Sequence, residues 1–327
     1  MKQQRYLVSF IMMIALLFVI SGCKKDDSNP VTTPTTVNES EVLVKYLETN
    51  GDYINTTGTS IVTASTVYTN LTSGTQYVID IRDTTAFKNG HIQGAVNVAL
   101  ADLWNHVKTV PASNTSIVVA CYSGQSAAYG VSLLRLLGYS KVSSLKWGMS
   151  SWDTSLAKSY WTAKTSDAYK TQMVTNATVK NAKGGLPTLS TGKTDGKDIL
   201  EARAAALFTA GYSTASITNT TLFANLTGNY IVNYWPVDQY NLGHIPGAAQ
   251  YVKPDLRDSL YLRTLPIDKP VVAYCYTGQT SSFLAAYLRL IGYDAKSLSY
   301  GANAMMYSTM PGTKFTSAEI MNYPLVK

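Results

Sequence analysis

The sequence predicts an α/β protein of two similar modules, each a mostly parallel β-sheet flanked by helices. Three observations point there. A long segment recurs once, with matching histidines at His91 and His244 and matching cysteines at Cys121 and Cys275. Within each copy, short apolar runs of β-forming residues alternate with helical patterns. The chain has 327 residues, enough for two domains of ordinary size.

The repeat is read from three blocks. Residues 77–97 recur as 230–250, the shared core being Gly90-His-Ile-Gln-Gly-Ala95 and Gly243-His-Ile-Pro-Gly-Ala248. Ile117-Val-Val-Ala-Cys-Tyr-Ser-Gly-Gln-Ser126 recurs as Val271-Val-Ala-Tyr-Cys-Tyr-Thr-Gly-Gln-Thr280. Leu133-Leu-Arg-Leu-Leu-Gly-Tyr139 recurs as Tyr287-Leu-Arg-Leu-Ile-Gly-Tyr293. In the first copy, 77–81 and 117–120 are apolar runs that fit buried parallel strands. Residues 126–137 read as a helix with Ala127, Val131, Leu134 and Leu137 on one face and Gly138 as its cap. Residues 142–145 read as a further strand. Domain 1 is therefore placed at 39–165 and domain 2 at 198–327. The Thr-, Lys- and Gly-rich stretch 166–197 reads as a linker with local helix near 168–174.

Composition narrows the function. Hydrophobic residues make up 46% and charged residues 14%, which excludes a disordered chain. Net charge is +7, without a Lys/Arg cluster interleaved with aromatics, so no nucleic-acid partner is expected. Three cysteines are too few for a disulfide framework, and three histidines make a His-rich metal site unexpected.

The first 22 residues read as a signal peptide. Lys2 and Arg5 open it, and 6–20 is almost continuously apolar but short for a membrane span. Ile20-Ser-Gly-Cys23 resembles the bacterial lipobox, which implies lipid attachment at Cys23 and cleavage before it. Residues 23–38 read as a flexible tether. The expected location is the bacterial cell envelope, anchored by lipid. Lys24 after the cysteine implies, by resemblance, the outer membrane, on its periplasmic or cell-surface face.

The chemistry centres on Cys121 and Cys275, each at the carboxyl end of an apolar strand and before a helix, where α/β folds place their ligands. Inward-pointing amides of the loop and the helix N-terminus both favour a thiolate there, the competent nucleophile. Gly124 and Gly278 let backbone approach a ligand. Ser126 and Thr280 place hydroxyls at the helix start, where caps are favoured. Tyr122, Ser123, Gln125, Tyr276, Thr277 and Gln279 complete the substrate-binding loops. The alternatives are two buried, inert cysteines or a Cys121–Cys275 disulfide.

Asp80-Ile-Arg82, Phe87, the Gly-His-Ile runs and the Cys-Tyr-Ser/Thr-Gly-Gln-Ser/Thr loops together resemble the rhodanese family, over both modules. The resemblance implies sulfur transfer through a cysteine persulfide, from a small sulfur-containing anion such as thiosulfate to a thiol or cyanide. No metal or organic cofactor is implied, and a protein partner is left open. Asp80 and Arg82 are expected to form a bracing ion pair; the second copy has Asn233 and Trp235 instead. His91 and His244 are assigned to a structural turn, and His106 to the surface. Trp147-Gly148 and Tyr300-Gly301 after the last strand fit either a pocket mouth or core. Arg135 and Arg289 suggest helix-surface ion pairs. Neither loop carries the Arg or Lys found in many active members, and Cys121 ranks above Cys275. A non-catalytic sulfur-carrier or interaction module is the alternative. A cysteine phosphatase is disfavoured, because Ala127 and Ser281 stand where it needs Arg.

Overall fold

Short Val- and Ile-rich runs covered on both faces become two five-stranded parallel sheets in the computed structural model, which describes residues 38–327. The first holds β1 (Ile61–Val62), β2 (Gln76–Asp80), β3 (Val96–Asn97), β4 (Ser116–Ala120) and β5 (Val142–Leu145). The second holds β6 (Ser216–Ile217), β7 (Tyr230–Asn233), β8 (Ala249–Gln250), β9 (Val271–Tyr274) and β10 (Ala295–Leu298). The strand orders are the same, β1-β5-β4-β2-β3 and β6-β10-β9-β7-β8, and the central strand of each sheet is the one that leads to a cysteine. Tyr77 pairs with Ile117 in the first sheet and Tyr230 with Val271 in the second. The leader 1–22, Cys23 and the tether as far as residue 37 lie outside the described residues. Asn38 caps the first helix, its side chain accepting from the Ser40 N–H. Among the described residues no helix is long and apolar enough to cross a membrane.

Four longer helices join the sheets: α1 (Glu39–Thr49), α2 (Gln125–Leu136), α3 (Gly196–Ala210) and α4 (Gln279–Leu290). The helices after the two cysteine loops, α2 and α4, pack on each other, and Ser132 Oγ donates to the Phe283 carbonyl across the contact (2.9 Å). One apolar core runs through both halves. Leu43 and Val44 of α1, Val131 of α2, Phe208 of α3 and Leu284 of α4 all belong to it.

The stretch 166–197 does not hang free between the halves. It lies along the second half, where the Ser166 and Tyr169 N–H groups donate to the Asn303 and Met305 carbonyls. Val174 then pairs with His244 in both directions, at 2.9 Å. Only Lys170–Gln172 is helical in the region where sequence suggests a helix, and as a 3₁₀ turn. The C-terminal segment makes the equivalent contacts on the first half. Met321 and Tyr323 donate to Ser151 and Trp152, and Val326 pairs with His91. Each half is thus strapped by the segment that follows the other half's last helix.

Two expectations for side chains change. His106 is half-buried, its Nε2 3.0 Å from the Tyr77 hydroxyl. Arg289 lies 4.0 Å from Asp294, but Arg135 donates to the Ser140 carbonyl and covers the Tyr53 ring instead of meeting a carboxylate.

Candidate functional site

Cys121 follows the last residue of β4 and Cys275 the last residue of β9. Both are free thiols, each 2% exposed. The chain turns tightly after each one because Gly124 (φ +83°) and Gly278 (φ +78°) take a left-handed conformation, which L side chains rarely adopt. These glycines are the N-caps of α2 and α4, with no side-chain cap. Ser126 and Thr280 therefore are not caps. They sit one position further in, half-buried, because each helix begins one residue earlier than the sequence pattern suggests.

The turn aims main-chain donors at sulfur. The Gly124 and Ala127 N–H groups reach Cys121 Sγ at 3.1 and 3.4 Å. Three reach Cys275 Sγ: Thr277 and Ser281 at 3.4 Å and Gly278 at 3.2 Å. Ser281 Oγ lies 3.6 Å from the same sulfur and Thr277 Oγ1 3.8 Å. Donors converging on one atom beside a helix N-terminus form an anion nest.

Each nest is backed by a glycine from the turn after the last strand. A Cβ on Gly148 would stand 2.3 Å from the Cys121 carbonyl oxygen and 2.5 Å from Gly124 N. One on Gly301 would stand 2.2 Å from the Cys275 carbonyl oxygen. The residues before them, Trp147 and Tyr300, are themselves left-handed at φ +62° and +61°. Bulky residues held there carry strain, so something must fix them.

The fixing groups are Gln125 and Gln279. Sequence places both in their own substrate loops, but both side chains are buried and cross to the other half. Gln125 Oε1 accepts from Tyr300 N at 2.8 Å, and Gln279 Oε1 accepts from Trp147 N at 2.9 Å. Gln279 Nε2 also donates to the Leu145 carbonyl (3.2 Å) and the Gly124 carbonyl (3.4 Å). Gln125 Nε2 donates to Ser123 Oγ at 3.0 Å. The loops face each other because α2 packs on α4, which brings each glutamine to the opposite turn. The repeated glutamine and the repeated aromatic–glycine pair carry a sequence signal for this contact, but not its crossing.

The rest of the loops is braced by aromatics. Tyr122 stacks on Tyr160 and donates to Asp83 Oδ2 at 2.6 Å. Tyr276 stacks on Trp235, with ring centroids 5.0 Å apart, and donates to Gln239. Trp161 Nε1 donates to the Ser123 carbonyl at 3.1 Å. Trp147 is fully buried, whereas Tyr300 is half-buried. Burial first, then the neighbouring Cys275 sulfur, pushes the Tyr276 phenol up to about 12. Burial and then Cys121 do the same to Tyr300, also to about 12. Both phenols stay protonated at neutral pH.

Asp80 and Arg82 form a buried ion pair at 2.6 Å, and Arg82 Nη2 also donates to the Gly90 carbonyl. The pair ties β2 to the Gly-His turn. In the second half Asn233 accepts from Trp235 N and donates to the Tyr274 hydroxyl. His91 and His244 stack on Phe87 and Tyr240, with Nδ1 2.9 Å from the carbonyl of the same residue. His244 Nε2 lies 3.1 Å from the Asn176 carbonyl, so both its nitrogens are engaged by main chain. Among the described residues no group of three His, Cys, Asp or Glu could hold a metal.

The Rhodanese-like domain model matches residues 63–155 and 222–306. The chain is 36% identical over 75 residues to thiosulfate sulfurtransferase GlpE of Shewanella oneidensis, covering 23% of this chain and 73% of that protein. It is 34% identical over 77 residues to thiosulfate sulfurtransferase GlpE of Pseudomonas fluorescens, covering 24% and 70%. Among solved structures, thiosulfate sulfurtransferase from Pseudomonas aeruginosa aligns with 86% of this chain and 49% of its own, at 17% identity and a TM-score of 0.30.

Proposed function

This chain belongs to the rhodanese-like domain family, and from that premise we propose that it transfers sulfane sulfur through a cysteine persulfide. The observation that carries the reading is the set of main-chain N–H groups trained on each sulfur, two on Cys121 and three on Cys275. The thiolate attacks the outer sulfur of thiosulfate. The S–S bond of the donor breaks, sulfite leaves with its electron pair, and the enzyme holds Cys–S–S⁻. The amides that held the thiolate hold this anion too. Cyanide or a thiol then takes the outer sulfur and returns the thiolate, so the reaction runs in two half-steps. The nest favours Cys275, which has the extra donor, and does not by itself support ranking Cys121 first.

Thiosulfate with cyanide should give thiocyanate. The Cys121→Ser and Cys275→Ser variants should each lower the rate, and the double Cys121/Cys275→Ser variant should abolish it. Full activity in the double variant refutes the reading. The low exposure of both sulfurs and the absence of Arg or Lys from the loops favour, as second reading, a carrier that keeps its sulfur. A persulfide seen by mass spectrometry that neither cyanide nor thiols remove would select it. The leader adds a location: a lipid on Cys23 at the outer membrane of the cell envelope. Labelling with a tagged fatty acid should mark the wild type and not Cys23→Ser.

A further inference from the structure

The two halves differ at the end of each sheet away from the cysteines, where the central strands begin. The loop before the central strand reads Val107-Lys-Thr-Val-Pro111 in the first half and Leu262-Arg-Thr-Leu-Pro266 in the second. Main-chain hydrogen bonds set the two in register. Val110 N–H donates to the Val107 carbonyl at 3.3 Å, and Leu265 N–H to the Leu262 carbonyl at 3.1 Å. On the facing turn, Gly138 N–H donates to the Arg135 carbonyl at 3.0 Å, and Gly292 N–H to the Arg289 carbonyl at 3.1 Å. Ile117 N–H donates to the Lys141 carbonyl as Val271 N–H does to the Asp294 carbonyl.

In the second half the groove between loop and turn seats a piece of the chain itself. Gly184 N–H donates to the Arg263 carbonyl at 2.7 Å, and Lys183 Nζ to the Ser259 carbonyl at 2.8 Å. Leu186 and Leu189 are 4% and 8% exposed and join the same core as Leu262, Leu265 and Tyr293. A Cβ on Gly292 would stand 2.9 Å from Pro187 and 3.0 Å from Leu189. The space left between this segment and the loop 263–268 does not reach Gly292. In the first half nothing takes that place among the described residues. A Cβ on Gly138 would meet no atom within 4 Å, and a cavity of about 430 Å³ runs from Val107 and Val110 to Gly138 and Val142. No residue of the C-terminal strap lines it.

The charges differ as well. Arg263 pairs with Asp258 at 2.6 Å and with Glu41 at 3.3 Å. Its counterpart Lys108 has Leu103 at the position of Asp258 and joins no ion pair among the described residues. Lys108 Nζ lies over the Trp104 ring at 3.9 Å, and Trp104 is the counterpart of Ser259, whose carbonyl holds Lys183. Lys141 stands where the second half has Asp294, and it bonds only the Ala112 and Asn114 carbonyls. Neither Asp nor Glu lines the cavity.

We propose that this groove docks an extended segment of a partner protein, of the pattern Leu-Pro-x-Leu that fills the second half, with an acidic residue three positions before the first leucine. The leucines cover the apolar floor of Val107, Ile117 and Val142, as Leu186 and Leu189 do in the other half. A main-chain N–H of the partner reaches the Lys108 carbonyl as that of Gly184 reaches Arg263. The carboxylate takes the place of the Lys183 ammonium and meets Lys108. Apolar burial holds the segment, and the two lysines select its charge. The inference is independent of the sulfur chemistry.

The test titrates the whole protein into two fluorescein-labelled peptides and follows anisotropy at low salt. One peptide copies residues 183–190, Lys-Gly-Gly-Leu-Pro-Thr-Leu-Ser, and the other has Glu in place of the lysine. The Glu peptide should bind saturably and about fivefold more tightly than the Lys peptide, on the order expected for exposed charge pairs. Lys108→Glu, on an exposed side chain, should reverse that order. Val110→Asp should weaken both peptides about tenfold, with melting curves to show that the variant folds. No saturable binding of the Glu peptide overturns the proposal, and so does a preference that Lys108→Glu leaves unchanged. Two further results also overturn it by giving the groove another occupant. A peptide of residues 24–37 that binds more tightly than either assigns it to this chain's own leading segment. Self-association in sedimentation that is lost in Lys108→Glu assigns it to a second copy.

Discussion

Changing Gln279 to Ala removes a strut that one cysteine loop lends to the other, so its damage should fall on the far half. The side chain accepts from Trp147 N at 2.9 Å and donates to Leu145 and Gly124 carbonyls at 3.2 and 3.4 Å. A net hydrogen bond contributes about 0.5–1.5 kcal/mol, and a buried donor left unpaired costs about 1–3 kcal/mol. With Trp147 fully buried, its N–H is left without a partner, and the two longer bonds add less. The expected loss is about 3 kcal/mol, or a fall in Tm of about 6 °C at roughly 2 °C per kcal/mol for a large domain. The freed turn carries Gly148, which packs on the Cys121 carbonyl and Gly124 N. Sulfur loading should therefore fall at Cys121 and persist at Cys275. Thermal denaturation gives the first number, and peptide mapping of persulfides after thiosulfate treatment gives the second. An unchanged Tm, or loss at Cys275 with Cys121 intact, refutes the crossed support.

Further outcomes follow from the same geometry. Gly148→Ala puts a methyl 2.3 Å from a carbonyl oxygen at φ +61°, so Cys121 should lose at least tenfold in sulfur loading on the order expected for a displaced nest, with Cys275 spared; Gly301→Ala should mirror it. Mass spectrometry of the two peptides checks both. Asp80→Asn strands a buried guanidinium and should cost about 3–5 kcal/mol in denaturant titration. The Tyr122 hydroxyl is the main cause that holds the Asp83 carboxyl below its ordinary value. The folded-state value is depressed, so this contact stabilises the protein above the unfolded value of about 3.9 and is lost as pH falls through the lowered one. Asp83→Asn should flatten the acid limb of the melting profile below about pH 4, and an unchanged limb counts against it.

The sheets were legible because their central strands are nearly pure β-formers. The Ile117 and Val271 runs announce strand, loop and cysteine together. The two-residue strands such as β1 and β3 carry no pattern long enough to read. The cysteine loops and the following helices were readable to within a residue, since local composition decides them. The bridging glutamines were not. A polar residue in a loop reads as loop chemistry, and its true contact exists only once α2 has packed on α4.

Those straps bear on what half of this protein could be. A scission after residue 165 would leave the first fragment with its Gly-His edge bare, since the covering strand at Val326 would depart with the other piece. The second fragment would keep residues 166–197 but lose α1, the α2 face that covers α4, and the Gln125 contact to Tyr300. Neither product would be a miniature of the whole. Mixed together, the fragments would regain every missing edge by reassociation, as two interlocking parts do.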